Sequence, residues 1–257
     1  MEEKGPVQAL DRAFDVMETL CGARDGLALH ELTEATGLHK STVHRMLQAL
    51  VHRGYATQDE DTGRYRMTTR LYALSGQVVE NLDLVQVARR PMEELSRRVE
   101  ETVHLLVPED SEIVYVHKVE ADAPGIRMFS RIGMHRPMYC TGGGKAMLAC
   151  MSDEDVSRIW NESQIQSYTP RTILTLDALK AELELVRARG VALDDEENEL
   201  GVRCIAAPVR DYSGQVCAAL SISAPLTRMS DERLASLRPV LLETRDLIAH
   251  GMGWTGA

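Results

Sequence analysis

Three consecutive glycines, Gly142 to Gly144, stand directly before Lys145 in the segment CTGGGKA. A phosphate-binding loop would need a further glycine where Tyr139 stands and Ser or Thr where Ala146 stands, so the segment does not support nucleotide hydrolysis. A glycine-rich turn into a helix leaves backbone N–H groups that suit a carboxylate. The alternative is a tight turn required only by packing, and the sequence leaves both open.

Polar side chains later in the chain could supply further contacts to such a ligand. Ser221 and Ser223 alternate along a predicted strand, so both hydroxyls lie on the same face. Cys204 lies on the neighbouring predicted strand, and Asp194 could accept hydrogen bonds from ligand hydroxyls. The alternative for the two serines is that they only satisfy backbone groups nearby. Cys204 could also be a nucleophile, but no feature of the sequence supplies it with a base.

Candidate metal ligands are present without a recognised spacing. The acidic run at 194–199 lacks the pattern of a calcium loop and is predicted to be a solvated loop with one or two inward side chains. His104 and His117 each lie in a predicted strand, where a lone histidine is usually structural. The five cysteines include no CxxC pair, as expected for reduced thiols. We therefore expect no metal and no cofactor.

Residues 29–54, LHELTEATGLHKSTVHRMLQALVHRG, carry chemistry suited to DNA. No Asp or Glu occurs from Ala35 to Gln58, although the whole chain has a net charge of −10. Burying the apolar face of the third predicted helix leaves hydrogen-bond donors on its outer face, namely Lys40, Ser41, Thr42, His44, Arg45 and Gln48. A recognition helix places such side chains in the major groove. The alternative is a solvated helix in an ordinary bundle, which the short turn at 37–39 and the following hairpin disfavour.

The elements around this segment predict a winged helix. Apolar spacing predicts helices at 7–21 and 29–36, and a third after the turn that contains Gly37. Short strands at 55–58 and 64–67 enclose a polar turn, which makes a hairpin. Three helices and a hairpin form a winged helix-turn-helix, with Arg64 expected on the wing near the DNA backbone.

The rest of the chain predicts a larger sensor domain. Helices are expected at 71–81 and 84–99, the second kinked or split by Pro91. Further strands and helices alternate in blocks, with strands at 102–107, 112–119, 126–131, 202–210 and 216–223, and helices at 142–151, from 152, at 176–190 and at 230–252. This order predicts an α+β domain with a central antiparallel sheet. The expected boundaries are 6–68 for the DNA-binding domain, 69–90 for a helical linker and 91–255 for the effector-binding domain.

The composition and the distribution of apolar residues indicate the class of protein and where it is expected in the cell. Hydrophobic residues make up 44% of the chain and charged residues 26%, as in globular proteins. The first residues show no apolar signal segment, and no run of 18 apolar residues occurs. We expect a cytoplasmic protein that does not bind a membrane.

The chain resembles the IclR family of transcriptional regulators. TGLHKSTVHRMLQALVHRGY and GRYRMTTRLYALSG are similar to that family's DNA-binding module. SRIGMHRPMYCTGGGKAMLA, DDEENELGVRCIAAPVRD and CAALSISAP are similar to its effector-binding domain, a GAF/profilin-like fold. The resemblance implies homodimers or dimers of dimers on double-stranded operator DNA. ETVHLL, EIVYVHKVE and IRMFSRIG further resemble the branch that contains the repressor responding to 2-keto-3-deoxygluconate.

The resemblance also implies a set of effector-binding residues. Those carried over from the family are Met128, Gly142, Gly143, Asp194, Cys204, Ser221 and Ser223. The narrower branch adds His104, Ser130 and Arg131. Gly143 stands where the family often has alanine, which would widen the pocket.

The sequence therefore predicts a sequence-specific regulator, a repressor of a catabolic operon, controlled by a small carboxylate such as a 2-keto sugar acid. One alternative is a sugar-acid-handling enzyme with a helical accessory module. It lacks any nucleophile-elbow, P-loop or zinc-helix motif. Another alternative is a DNA-binding protein whose second domain serves only dimerisation.

Overall fold

The computed structural model describes residues 7–74, 83–121 and 129–256, and the chain divides into two units between residues 82 and 83. The first unit contains, in order, α1 (Gln8–Cys21), α2 (Leu29–Thr36), α3 (Lys40–His52), β1 (Ala56–Gln58) and β2 (Tyr65–Met67). Residues 70–74 are also helical. The predicted winged helix is therefore confirmed, although the part of the predicted helix at 75–81 lies outside the described residues.

The core of the first unit is built from the apolar positions that the helical periodicity singled out. Val43 and Leu47 of α3 are fully buried against Leu32 of α2 and Val16 of α1. Gly37 ends α2 in the left-handed conformation with φ of 65°, which costs glycine little. α3 can therefore start three residues later, across the angle that a helix-turn-helix requires.

The second unit is a six-stranded sheet with helices on both faces. Its elements are α4 (Leu84–Val99), β3 (Thr102–Glu109), β4 (Glu112–Val119), β5 (His135–Pro137), α5 (Gly142–Leu148), α6 (Asp153–Glu162), α7 (Leu176–Arg189), β6 (Ala192–Asp195), β7 (Val202–Arg210), β8 (Val216–Pro225) and α8 (Asp231–Gly251). The strand order is β5-β4-β3-β8-β7-β6. Every neighbouring pair is antiparallel, which confirms the predicted sheet.

Two apolar layers hold the helices to this sheet. α4 and α8 pack on one face, where Met92 and Leu241 meet Leu105 and Leu220 of the central strands. α5, α6 and α7 cover the other face in a second cluster. Because antiparallel strands alternate their side chains between the faces, β3, β7 and β8 contribute to both layers.

Several sequence expectations differ from the structure. Pro91 does not split α4, because both halves bury apolar side chains on the same layer. Residues 84–90 of the expected linker belong to this helix. Residues 129–131 of the strand predicted at 126–131 are not in a strand, and 126–128 lie outside the described residues. The two edge strands β5 and β6 were missed, since three or four residues are too few to show an alternating pattern.

Candidate nucleic-acid interface and small-molecule site

The outer face of α3 carries the side chains expected to contact DNA. Lys40, Ser41, His44, Arg45 and Gln48 are exposed, and Thr42 is half-buried. Four of these residues, Lys40, Ser41, His44 and Arg45, line one open concavity together with Leu29 and His39. The helix contains no acidic residue. A donor-rich and acid-free helix face of this kind suits phosphate oxygens and base edges.

Arg64 does not project from the wing as expected. Its Nη2 donates to the Gly26 carbonyl oxygen at 2.9 Å and to Glu31 Oε1 at 3.2 Å, and its Nε also reaches the Gly26 oxygen at 3.2 Å. Glu31 in turn accepts from the Ala28 backbone N–H at the start of α2. The guanidinium therefore fastens the wing to α2, which leaves the exposed Arg66 as the arginine that β2 presents to solvent.

A cavity in the second unit gathers most of the predicted effector-binding residues. It encloses about 440 Å³ of space, including the open solvent at its mouth. The predicted residues that line it are His104, Ser130, Gly142, Gly143, Asp194, Cys204, Ser221 and Ser223. Leu106, Tyr115, Thr141, Asn198, Glu199 and Val202 complete the described lining.

Two predicted residues stand apart from this lining. Arg131 is exposed and lies over the Phe129 ring, with its guanidinium carbon 5.6 Å from the ring centroid. It is not among the cavity-lining residues, since the chain at 129–131 is not a strand that could aim alternate side chains inward. Met128 lies outside the described residues.

Strand register explains why residues distant in sequence meet here. Cys204 pairs with Asp194 of β6 on one side and with Ser223 of β8 on the other. Ser221 pairs with His104 of β3. Directly paired residues point to the same face of a sheet, so these side chains form one polar patch beneath α5. Sequence alternation alone could place only the two serines together.

The glycine run is shaped by packing as well as by the cavity. A Cβ on Gly144 would lie 2.3 Å from the Met138 backbone, so the position requires glycine. A Cβ on Gly142 would lie 2.9 Å from Cys204 Sγ, and one on Gly143 would lie 2.8 Å from Leu106 Cδ1. Packing therefore requires glycine at position 144. At Gly142 and Gly143, the missing Cβ atoms leave space beside Cys204 and Leu106, which line the cavity.

His104 is held neutral inside the cavity. Its Nε2 lies 2.7 Å from Ser130 Oγ and its Nδ1 lies 3.4 Å from Ser223 Oγ. Burial, and secondarily the positive charge of Lys118, lower the pKa of His104 to about 3. The edge of the Tyr115 ring packs against it, with 5.1 Å between ring centroids. A neutral imidazole between two hydroxyls fixes polar groups for a ligand without adding charge.

Asp194 is the acidic group of the cavity. Its Oδ1 accepts from the Glu197 backbone N–H at 2.8 Å and from that of Asn198 at 3.4 Å. Burial, and then the nearby Glu197 carboxylate, raise the pKa of Asp194 to about 7. Burial, followed by the negative charge of Asp194, also raises the pKa of the Cys204 thiol to about 12. Cys204 is therefore a thiol that can contact a ligand rather than a thiolate nucleophile.

A buried ion pair supports the wall that carries Asp194. The Lys145 ammonium, fully inaccessible to solvent, binds Glu197 Oε1. Thr172 Oγ1 donates to the Glu197 carbonyl oxygen at 2.7 Å, and Thr169 Oγ1 donates to that of Glu196 at 2.5 Å. Sequence reasoning missed this network, and its only local signal was a lysine directly after the glycines, on a helix expected to be buried.

The described residues form neither a metal site nor a membrane-spanning helix. Within 7–74, 83–121 and 129–256, no three His, Cys, Asp or Glu side chains are arranged to hold a metal ion. In the same ranges, no helix is both long enough and apolar enough to cross a membrane.

Comparison with protein-family models gives two matches in chain order. The IclR helix-turn-helix domain matches residues 9–60, and the model described as bacterial transcriptional regulator IclR C-terminal matches residues 76–250. The first match contains α2, α3 and all of α1 except its first residue, Gln8. The second contains every strand of the six-stranded sheet and thus the whole cavity lining.

Curated relatives and solved structures agree with these matches. The chain is 37% identical to the HTH-type transcriptional regulator KdgR of Escherichia coli strain K12, covering 96% of this chain and 94% of KdgR. It is 37% identical to the DNA-binding transcriptional repressor YiaJ of the same organism, covering 96% and 89% of the two chains. The crystal structure of the repressor BlcR from Agobacterium tumefaciens superposes with a TM-score of 0.78 at 29% identity, covering 98% and 99%.

Proposed function

Because the chain belongs to the IclR family of bacterial transcriptional regulators, we propose that it represses a catabolic operon and that a small organic acid bound in the second unit controls it. The chain is a DNA-binding regulator, and the enzyme alternative is not supported, since the matched models and named relatives are regulators. The repressor role is proposed by analogy with YiaJ and BlcR, both named as repressors.

The observation that supports effector control is the single cavity face on which Asp194, Cys204, Ser221 and Ser223 meet. Convergent polar groups beside apolar side chains such as Leu106 are the usual make-up of a small-ligand site. A domain that served only dimerisation would not need to gather these polar side chains around one cavity.

The proposed ligand is a small carboxylate, with 2-keto sugar acids as the first candidates. The Gly142 and Gly143 backbone N–H groups have no hydrogen-bond partner among the described residues, and glycine lets a ligand approach them closely. The serine hydroxyls and the His104 imidazole would then meet hydroxyl or keto groups. The resemblance of ETVHLL, EIVYVHKVE and IRMFSRIG to the branch whose repressor responds to 2-keto-3-deoxygluconate adds support for this class.

We propose Lys40, Ser41, Thr42, His44, Arg45 and Gln48 as the DNA contacts. Arg45 and Gln48 suit base edges, and Lys40 suits a phosphate. A single winged helix offers a small interface, so we propose that homodimers or dimers of dimers read paired half-sites. The apolar side chains of Val7, Leu10 and Phe14 on α1 are about half exposed and spaced as one helical stripe, which supports pairing of two copies. Such a regulator works in the cytoplasm, where its operator lies.

The test of effector binding is calorimetric titration with 2-keto-3-deoxygluconate and with pyruvate as a simpler keto acid. We expect binding to the wild type and at least tenfold weaker binding to a Ser221→Ala, Ser223→Ala double variant. Ser236→Ala, an exposed serine on α8, is the matched control and should bind as the wild type does. Equal affinity of the double variant would place the ligand elsewhere, and failure of every keto or sugar acid to bind the wild type would refute the ligand class.

The test of DNA binding starts from an operator selected out of a random duplex library. Arg45→Ala should weaken binding to it by about 1–3 kcal/mol if Arg45 reads a base edge. Lys40→Ala should weaken all duplexes alike and reduce the salt slope by about 0.9. Arg90→Ala, an exposed arginine of the second unit, is the control. Light scattering that shows a monomer with undiminished operator affinity would refute the dimer.

A further inference from the structure

The effector cavity is acidic, although its proposed ligand is an anion. None of the described residues that line it is Lys or Arg, whereas Asp194 and Glu199 both line it. The nearest buried cation, Lys145, is bound to Glu197. The described part of the lining therefore carries negative charge and no Lys or Arg, and a bare carboxylate entering it would meet repulsion from Asp194 and Glu199 in a medium of low dielectric constant.

Asp194 is the group whose charge matters most. It is 6% exposed as a residue, and its Oδ2 has no hydrogen-bond partner among the described residues. The place that a Gly142 Cβ would occupy lies 3.6 Å from the Asp194 backbone nitrogen. A ligand carboxylate held by the Gly142 and Gly143 N–H groups would thus lie beside the Asp194 carboxyl.

Among the described groups that face Asp194, Lys145 carries a positive charge, but its ammonium is already bound to Glu197. The groups that face Asp194 are Glu197 and Glu199 on the loop that follows it, Lys145 and Cys140 from α5 and the turn before it, Cys204 on β7, His104 on β3 and Tyr115 on β4. His104 is enclosed between Ser130 and Ser223 and stays neutral. The raised pKa values of Cys140, Cys204 and Tyr115 keep these groups uncharged as well.

We propose that the effector carboxylate binds together with one proton, which comes from solvent, occupies Asp194 Oδ2 and is donated in a hydrogen bond to the ligand. Protonation removes the repulsion and turns Asp194 from an acceptor into a donor, so an acid is selected over its uncharged analogues by a carboxyl–carboxylate hydrogen bond. This inference rests on the proposed function. It makes effector affinity, and with it release from the operator, dependent on pH.

The direction of the pH dependence of ligand affinity follows from the ionisation of Asp194 in the ligand-free protein. The pKa of Asp194 is about 7 without ligand, so the group is mostly ionised near pH 8 and mostly protonated near pH 6. Binding near pH 8 should take up about 0.9 proton and binding near pH 6 about 0.1, and the dissociation constant should be roughly tenfold larger near pH 8. The affinity should become independent of pH below about pH 5.5.

The experiment is calorimetry of 2-keto-3-deoxygluconate binding to the full chain in phosphate and in Tris, whose different ionisation enthalpies reveal the proton count. Asp194→Asn should abolish proton uptake and flatten the pH profile. Glu154→Gln, an exposed acid in the first turn of α6 that does not line the cavity, should leave both unchanged. Proton uptake that persists in Asp194→Asn, or binding without uptake near pH 8 in the wild type, would overturn the proposal.

Two further measurements distinguish a failure of the proton-uptake proposal from a failure of the proposed ligand site. If Asp194→Asn does not bind, infrared difference spectra of the wild type and Glu199→Gln should both show the C=O band of a protonated carboxylic acid on ligand binding, and its absence overturns the proposal. If the Ser221→Ala, Ser223→Ala variant binds as tightly as the wild type, the proposed ligand position fails instead.

Discussion

Replacing Lys145 with methionine tests whether the buried ion pair holds the cavity wall. Methionine fills most of the volume but leaves the Glu197 carboxylate in a site where only 10% of that side chain is exposed. Glu197 Oε2 already has no partner, so the neighbourhood cannot compensate the lost ammonium. Removing one member of a buried pair costs about 3–5 kcal/mol, a large part of the roughly 5–15 kcal/mol that stabilises a typical domain.

The loss of stability caused by Lys145→Met depends on pH, and the raised pKa of Glu197 fixes the direction of that dependence. Burial already raises the pKa of Glu197 in the folded protein, and loss of Lys145 raises it further. A group with a raised folded pKa contributes its full stability below its unfolded pKa and loses it as pH rises. The cost of Lys145→Met should therefore be smallest near pH 4, around the ordinary glutamate pKa, and should grow as the pH rises.

The assay is urea unfolding followed by tryptophan fluorescence. Both tryptophans of the chain, Trp160 and Trp254, lie in the second unit, so the signal reports on that unit alone. The double variant Lys145→Met, Glu197→Gln should recover most of the loss, because it leaves no uncompensated charge. A single variant that loses less than about 1 kcal/mol, or a double variant no more stable than the single one, would refute the reasoning.

Three other predictions follow from particular contacts. Gly144→Ala should prevent folding of the second unit or destabilise it severely, as measured by the same unfolding curves, because its Cβ would meet the Met138 backbone at 2.3 Å. Arg64→Ala should lower the melting temperature of the first unit and leave the salt slope of operator binding unchanged, unlike a phosphate contact, because Arg64 binds Gly26 and Glu31; a reduced slope would contradict this. Asp194→Asn should increase the free energy of unfolding of the second unit by a few kcal/mol more above about pH 7 than at pH 4. The reason is that burial raises the pKa of Asp194 to about 7, so the wild type loses stability as this buried group ionises. An equal change in the free energy of unfolding at both pH values would contradict this prediction.

The DNA-binding unit could be predicted almost residue by residue. The bounds of α2 match the prediction, and α3 begins where the short turn requires. These features depend on helical periodicity and on Gly37, which act over a few residues. The contacts of Arg64 with Glu31 and Gly26 could not be predicted, because these partners lie 33 and 38 residues away along the chain, beyond any local pattern.

The cavity was predicted in part, for reasons that differ by residue. Ser221 and Ser223 follow from strand alternation alone. The family resemblance supplied Asp194 and His104, but Tyr115 and Asn198 of the lining were missed, because nothing local shows which side chains of their strand and of the acidic loop face the cavity. Arg131, which the branch resemblance implied as an effector-binding residue, is exposed and not among the described lining residues.

The sequence by itself determined the order of the elements, the antiparallel sheet and the acid-free face of α3. These depend on the period of apolar side chains and on glycine conformation, which are properties of neighbouring residues. Only the tertiary structure decided that Lys145 binds Glu197, 52 residues away, and that no Lys or Arg among the described residues lines the cavity beside Asp194. Charge balance in a buried site is a sum over groups brought together by folding, so it cannot be inferred from any one stretch of the chain.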